Sequence, residues 1–293
     1  MPTRTDYTAL VMNRGPLLAL IAAASCTAAP ATTTTAPTAA STTPAPLEGE
    51  LVDLSHAFDA DTIYWPTSPS GFELTKLHEG PTEGGYFYAA NTLCAPEHGG
   101  THLDAPIHFA EGRSTADTVP LSRLVGPAVV IDIAPAAATD PDTTLQPADI
   151  ERFEAEHGAI AANTIVLVRT GWSERWPDRK RYLGDDTPGD ASNLHFPGIS
   201  KEAAQALVDR EVAAVGIDTA SIDHGPSQEF WAHRVLMAAD IPAFENLMAL
   251  DQLPATGATV IALPMKIGGG SGGPLRAIAI VNSAGSGSRA SGP

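Results

Sequence analysis

Cysteine is nearly absent from this chain of 293 residues, which has only Cys26 and Cys94. Only Cys94 falls in a region able to form a core. No internal disulfide can therefore staple the fold, and Cys94 is expected to act as a small buried hydrophobe. Basic residues are scarce too: 17 Lys and Arg stand against 34 Asp and Glu, giving a formal charge of −17 and a pI near 4.7. No basic stripe is present, which argues against nucleic acid or an anionic lipid surface as a partner. Long apolar runs are also missing. Residues 16–24 (PLLALIAAA) are too few to span a bilayer. What the chain does have is a normal apolar fraction of 43%, enough for a sizeable core.

The first part of the chain reads as targeting and tether. Arg14 precedes the apolar run at residues 16–24, which has the length of a secretory signal's hydrophobic region. Met12 offers a second possible start. Ala23, Ala24 and Ser25 lead into Cys26, an arrangement that resembles a bacterial lipobox. Residues 27–46 are almost wholly Ala, Thr and Pro, without the large apolar side chains a core requires. The expected organisation is a signal at residues 1–25, a lipidated cysteine and tether at 26–46, one folded domain at 47–282 and a polar tail at 283–293. Export follows, with the membrane touched only through the N-terminal lipid, or else plain secretion.

Within the domain, β-branched runs alternate with helical patterns. Strands are expected at residues 128–133, 164–169, 212–217, 259–263 and 276–281, and helices at 147–157, 201–210 and 228–238. Pro147 suits a first helical turn and Ser200 an N-cap. The alternation predicts an α/β domain in which helices pack on a mixed sheet. Residues 176–197 read as a polar, turn-rich excursion of the kind that often carries binding loops. Trp172 and Trp176 are either pocket-lining or core aromatics.

Histidine is what the domain concentrates. The stretch EHGGTHLDAPIHF, residues 97–109, carries His98, His102, Asp104 and His108, in a chain of nine histidines. Gly99, Gly100 and Pro106 exclude a helix there, so the segment reads as turn and strand. In a strand, His102 and Asp104 share a face, and the Gly-Gly turn lets His98 fold back toward them. Imidazoles with one carboxylate suit divalent Zn, Mn or Fe, and few protein ligands leave a position for water. A structural zinc site would want cysteines. Such a site implies hydrolysis of an amide, lactam or ester, because a bound cation brings its water's pKa toward ~7. His108 is the candidate proton shuttle. Asp218 and Asp223 are either partners of ligand imidazoles or simple turn formers.

Other signals fail. The GGGSGG run at residues 268–273 lacks a Gly-Lys-Ser/Thr ending and leads into Pro274, so it reads as a flexible pocket-edge loop rather than a phosphate cradle. Ser173 and Ser221 have no nucleophile-elbow context.

The spacing H-x-x-x-H-x-D-x-x-x-H from His98 to His108, with Gly100, Thr101 and Pro106, resembles the metal-dependent cyclase-like hydrolases, which include bacterial kynurenine formamidase and isatin hydrolase. Matches continue through Tyr64-Trp65-Pro66, Arg169-Thr170-Gly171-Trp172, Asp218, Asp223, His233 and Glu245-Asn246. The resemblance spans roughly residues 50–282. It implies a swivelling β/β/α fold and one or two Zn or Mn ions per chain. His98, His102 and Asp104 would hold one, with Asp104, His108, His233 and Glu245 available for a second. It further implies a small-molecule substrate, either an aryl formamide or a cyclic amide, touched by Trp65 and Trp172. The expected assembly is a homodimer in which Trp65 completes the neighbour's pocket. Lactone or ester hydrolysis, cyclase chemistry, or a lipid-anchored metal-containing receptor for an aromatic ligand are the alternatives.

Overall fold

The computed structural model describes residues 49–281. The expected signal, Cys26, the tether and the tail lie outside the described residues. The strands are β1 (Glu50–Asp53), β2 (Glu73–Pro81), β3 (Phe87–Cys94), β4 (His102–Asp104), β5 (Val125–Asp132), β6 (Thr144–Leu145), β7 (Ile165–Arg169), β8 (Gly198–Ile199), β9 (Ala214–Ile217), β10 (Ala243–Glu245), β11 (Thr256–Pro264) and β12 (Gly272–Val281). The helices are α1 (Leu121–Leu124), α2 (Ala134–Ala137), α3 (Pro147–His157), α4 (Arg179–Leu183), α5 (Lys201–Asp209) and α6 (Trp231–Ala238).

One mixed sheet dominates, as the alternating pattern predicts. It also closes, which that pattern did not reveal. Its order runs β12, β11, β5, β7, β9, β10 and β4, and β4 pairs again with β12, making a barrel to which β1 adds along the far part of β12. The run from β5 through β7 and β9 to β10 is parallel, whereas β4, β11 and β12 join antiparallel. Strand alternation explains the apolar composition of β7. Ile165 and Leu167 face one core with Leu54, Leu103, Phe244 and Val260. Val166 and Val168 face a second core, built with Ile150, Phe153, Leu207 and Leu236 from α3, α5 and α6. Both faces are buried, so neither needs polar residues.

Helix α3 starts at Pro147, with Gln146 as its N-cap and Asp149 accepting from the Gln146 backbone N–H at 2.8 Å. Ser200 caps α5 as anticipated. Helix α6 starts three residues later than the sequence suggests. Phe230 sits in a left-handed conformation before it, and the carboxylate of Asp223 accepts the N–H groups of Ala232 and His233 at 2.9 and 3.1 Å. The first turn is thus set by an acceptor from another loop.

Two local expectations are corrected. Cys94 is exposed, at the end of β3, and not a buried hydrophobe. The excursion at residues 176–197 is more than a solvated loop: it contains α4, and it buries Tyr182, Leu183, Leu194 and Phe196 in a third core with Ile63 and Trp172. Its polar residues surround this cluster, which is why composition alone reads as loop.

Candidate metal centre

Strand β4 is only three residues long, yet it lies between β10 and β12 and closes the barrel. His102 and Asp104 point to one side and Leu103 packs into the core on the other, as strand alternation requires. Register then recruits a distant residue, since Glu245 of β10 is the Cα partner of His102. On the other flank Gly272 of β12 is the partner of Asp104. A Cβ at Gly272 would lie 2.6 Å from the His98 ring, so only glycine leaves room for that imidazole. The turn before β4 has the same need. Gly99 and Gly100 have φ of 148° and 58°, and a Cβ on either would collide with the rings of Tyr64 or Phe58.

Asp104 is fully buried and receives three imidazoles. Its Oδ1 lies 2.6 Å from His98 Nδ1 and 3.0 Å from His102 Nε2, and its Oδ2 lies 3.0 Å from His233 Nε2. His233 Nε2 is also 3.3 Å from Glu245 Oε1, and His102 Nε2 is 3.6 Å from Glu245 Oε2. Each histidine is anchored from behind. His102 Nδ1 donates to the Gly100 carbonyl at 2.9 Å, and His233 Nδ1 donates to Asp223 Oδ2 at 2.6 Å. His98 Nε2 donates to Ser271 Oγ at 2.8 Å, which in turn donates to Glu97 Oε2 at 2.7 Å. The outward nitrogens carry protons, so the inward ones present lone pairs toward the carboxylates.

Lone pairs aimed at carboxylates fit a cation, and without one His102 and His233 hold protons there instead. Burial alone would lower His102, but the charge and hydrogen bond of Asp104 and the charge of Glu245 outweigh it and push the imidazole up to about 9. For His233, burial is likewise overcome by hydrogen bonds to Asp104, Asp223 and Glu245, which hold it well above its usual value. Burial raises Glu245, and the charge of Asp104 raises it further. The opposite holds for Asp104, where the charges of His102 and His98 outweigh burial and keep the carboxyl well below its usual range. Two groups bring their ligand atoms within 4.8 Å of one another: His98, Asp104 and His108, and His102, Asp104 and Glu245. Asp104 belongs to both. These residue types fit one or two divalent metal ions.

His98 and His102 meet on the same oxygen of Asp104, the set the resemblance implies for one ion, and Asp104 also joins the two groups above. His102 groups with Glu245 through β-pairing, while His108 stacks on His98 with ring centroids 3.9 Å apart. His108 follows Pro106 in a single 3₁₀ turn, and burial, the main cause, lowers its pKa to about 4. His233 joins the cluster from α6 through its contacts with Asp104 and Glu245.

A cavity of about 350 Å³ opens over the cluster, and Trp65, Phe109 and Phe230 are among its walls. Trp65 lines the cavity of its own chain, packing near Phe196 and Phe230. Trp172 does not reach this cavity. It is buried, donates from Nε1 to the Tyr182 carbonyl at 2.7 Å, and so is withdrawn as a contact in the cavity over the cluster. Trp176 stacks on His56. Of the two uncertain aspartates, Asp223 orients an imidazole, while Asp218 instead binds Thr170 and the Gly171 N–H. Asn246, part of the Glu245-Asn246 match, supports the site too, its Nδ2 donating to the same Gly100 carbonyl at 2.8 Å, and two further supports, Glu97 and Ser271, were not foreseen. Glu97 adjoins His98 in sequence and was the one detectable signal.

The family model Cyclase, described as "Putative cyclase", matches residues 52–224. The chain belongs to this family. It is 36% identical over 217 residues to the isatin hydrolase of Roseibium aggregatum, covering 71% of this chain and 81% of that protein. It is 30% identical to the kynurenine formamidase of Salinibacter ruber, over 78% of this chain and 96% of the relative. A crystal structure of an isatin hydrolase bound to the product analogue thioisatinate superposes with a TM-score of 0.74 at 33% identity, covering 80% of this chain and 94% of that one.

Because His102 and His233 hold protons in the metal-free cluster, loading must displace them. Titrating Zn²⁺ or Mn²⁺ into metal-free protein at pH 7.5 is expected to release at least one proton per chain, measured by calorimetry in buffers of differing ionisation enthalpy. Apparent affinity should rise with pH until His102 loses its proton near 9. Binding without proton release would contradict the cluster described.

Proposed function

We propose that this cyclase-family chain is a metal-dependent hydrolase of amide C–N bonds whose substrate is an aryl formamide or a cyclic amide such as isatin. The observation that carries this reading is the pair of donor groups sharing Asp104 at the floor of an aromatic-walled cavity. Its nearest support among relatives is the likeness to isatin hydrolase and kynurenine formamidase.

In this reading His102, Asp104 and Glu245, with His233 beside them, hold one ion, Zn or Mn, and His98, Asp104 and His108 offer a second position. When bound, the metal supplies a water reactive near neutral pH and polarises the amide carbonyl. The chain's own residues do the rest. Asp223, the Gly100 carbonyl and Ser271 fix the three imidazoles in one tautomer each. Trp65, Phe109 and Phe230 provide flat apolar faces for an aromatic substrate and exclude water around the reacting amide. His108 is neutral at pH 7 because burial disfavours its charge, and when it is not holding a second ion it can relay a proton to the leaving nitrogen.

The test couples metal analysis to turnover of N-formyl, isatin-like and lactone substrates. Wild type should hydrolyse an amide of the first two kinds. His108→Ala should retain metal at His102, Asp104 and Glu245 while kcat falls by roughly two to four orders of magnitude. Turnover of lactones alone would move the substrate class. A fully metal-loaded protein inert to every substrate would leave a receptor.

Two further proposals concern the setting of the domain. Strands β2 and β3 form a separate hairpin that exposes Leu74, Leu77, Tyr86, Phe87, Tyr88 and Leu93. A two-stranded hairpin with so much bare apolar surface is poorly stable alone in water, and in our reading a second copy of the chain covers it. Light scattering should give a dimer, and Leu77→Lys with Phe87→Lys a monomer; a monomeric wild type would refute this. The composition of residues 16–46 supports export and lipidation at Cys26. Cys26→Ser should then free the protein from membranes, and wild type that never fractionates with membranes would end that proposal.

A further inference from the structure

Trp172 backs a second cavity, of about 380 Å³. No residue lines both this cavity and the one over the metal cluster. Its wall combines Arg169 and Gly171 at the end of β7, Arg175 from the turn that follows, Arg181 of α4, and the small residue Ala137 of α2. Three guanidinium groups around one cavity are unexpected in a chain of charge −17. The single carboxylate in the wall is the exposed Glu174.

Most arginines in the domain have found an acceptor. Arg152, Arg169, Arg210 and Arg276 pair with carboxylates, and Arg123 and Arg179 donate to backbone carbonyls. Among the described residues Arg175, Arg181 and the exposed Arg113 do neither, and of these Arg175 is half-buried. Its Cζ lies 3.2 Å from the centroid of the Trp172 ring, and Trp172 is itself fixed by its bond to the Tyr182 carbonyl. This cation–π contact positions the guanidinium over the ring and leaves its N–H groups without a protein acceptor. Burial and then the charge of Arg181 disfavour the cation at Arg175, with the exposed Glu174 offsetting only part of it, and an anion between the two guanidinium groups would relieve the remaining like-charge conflict.

We propose that this cavity binds a small oxyanion or carboxylate, gripped between the forks of Arg175 and Arg181. A planar fork matches carboxylate and phosphate oxygens alike, through paired charge-assisted hydrogen bonds. Arg169 stays neutralised by Asp132, its Nη1 2.6 Å from Oδ2, and frames the site. This site is independent of the hydrolytic reading.

The experiment is calorimetric titration of metal-loaded full chain at low ionic strength, with inorganic phosphate and, separately, with benzoate. Saturable binding of either is expected, and the anion that binds identifies the source chemistry. Arg181→Gln, at an exposed position, should weaken it by about tenfold or more, the worth of one lost charge-assisted fork, and leave metal content and turnover unchanged. Arg175→Gln should do the same. An anion bound at the metal centre instead would keep its affinity in Arg181→Gln, and that result overturns the proposal. So does the absence of saturable binding by both anions.

Discussion

A carboxylate with no exposed surface of its own must be given positive charge, and Asp104 is the residue in that position. Uncompensated, such a group would cost several kcal/mol or lose its charge. Three imidazoles at 2.6 to 3.0 Å supply the compensation, and the rest of the centre follows from holding them there. Each ring needs a fixed acceptor behind it, which explains Ser271, the Gly100 carbonyl and Asp223 together. Metal and proton compete for the same lone pairs.

The barrel exists in this form because a three-residue strand bridges β10 and β12. That closure converts sequence distance into contact: Glu245 reaches His102 by register, and Gly272 makes way for His98 by lacking a side chain. Asp223 links the centre to the helical layer, since it both caps α6 and orients His233. The same carboxylate therefore serves folding and chemistry. Above this rigid floor the cavity walls come from segments outside the barrel strands, from Trp65, Phe109 and Phe230, where substrate preference can vary without disturbing the donors.

Much of this was legible in the sequence. The crowding of His98, His102 and Asp104 needed only strand alternation and a Gly-Gly turn, and β5, β7, β9, β11 and β12 announce themselves by β-branched runs. Closure was not legible, because β4 and β10 are three residues each and carry no periodicity of their own. The hairpin β2–β3 was missed because β2 mixes charged and apolar residues and neither strand has a buried face to give it a clear alternation. Trp172 was misplaced for a related reason: an aromatic beside a functional motif can face either way from the chain, and only packing on Tyr182 decides it. The two aspartates after β9 look alike in sequence, and they differ in their partners, the His233 imidazole of α6 for Asp223 and Thr170 with the Gly171 N–H for Asp218.

The claim on which all this rests is that one carboxylate joins both donor groups. Metal content of Asp104→Asn, measured by plasma mass spectrometry beside Glu245→Gln on folded protein, tests it most directly. An amide cannot supply the charge that His98, His102 and His233 share, so Asp104→Asn should lose all bound metal, whereas Glu245→Gln should retain metal at His98, Asp104 and His108 when that position is filled. Full metal stoichiometry in Asp104→Asn would contradict the account.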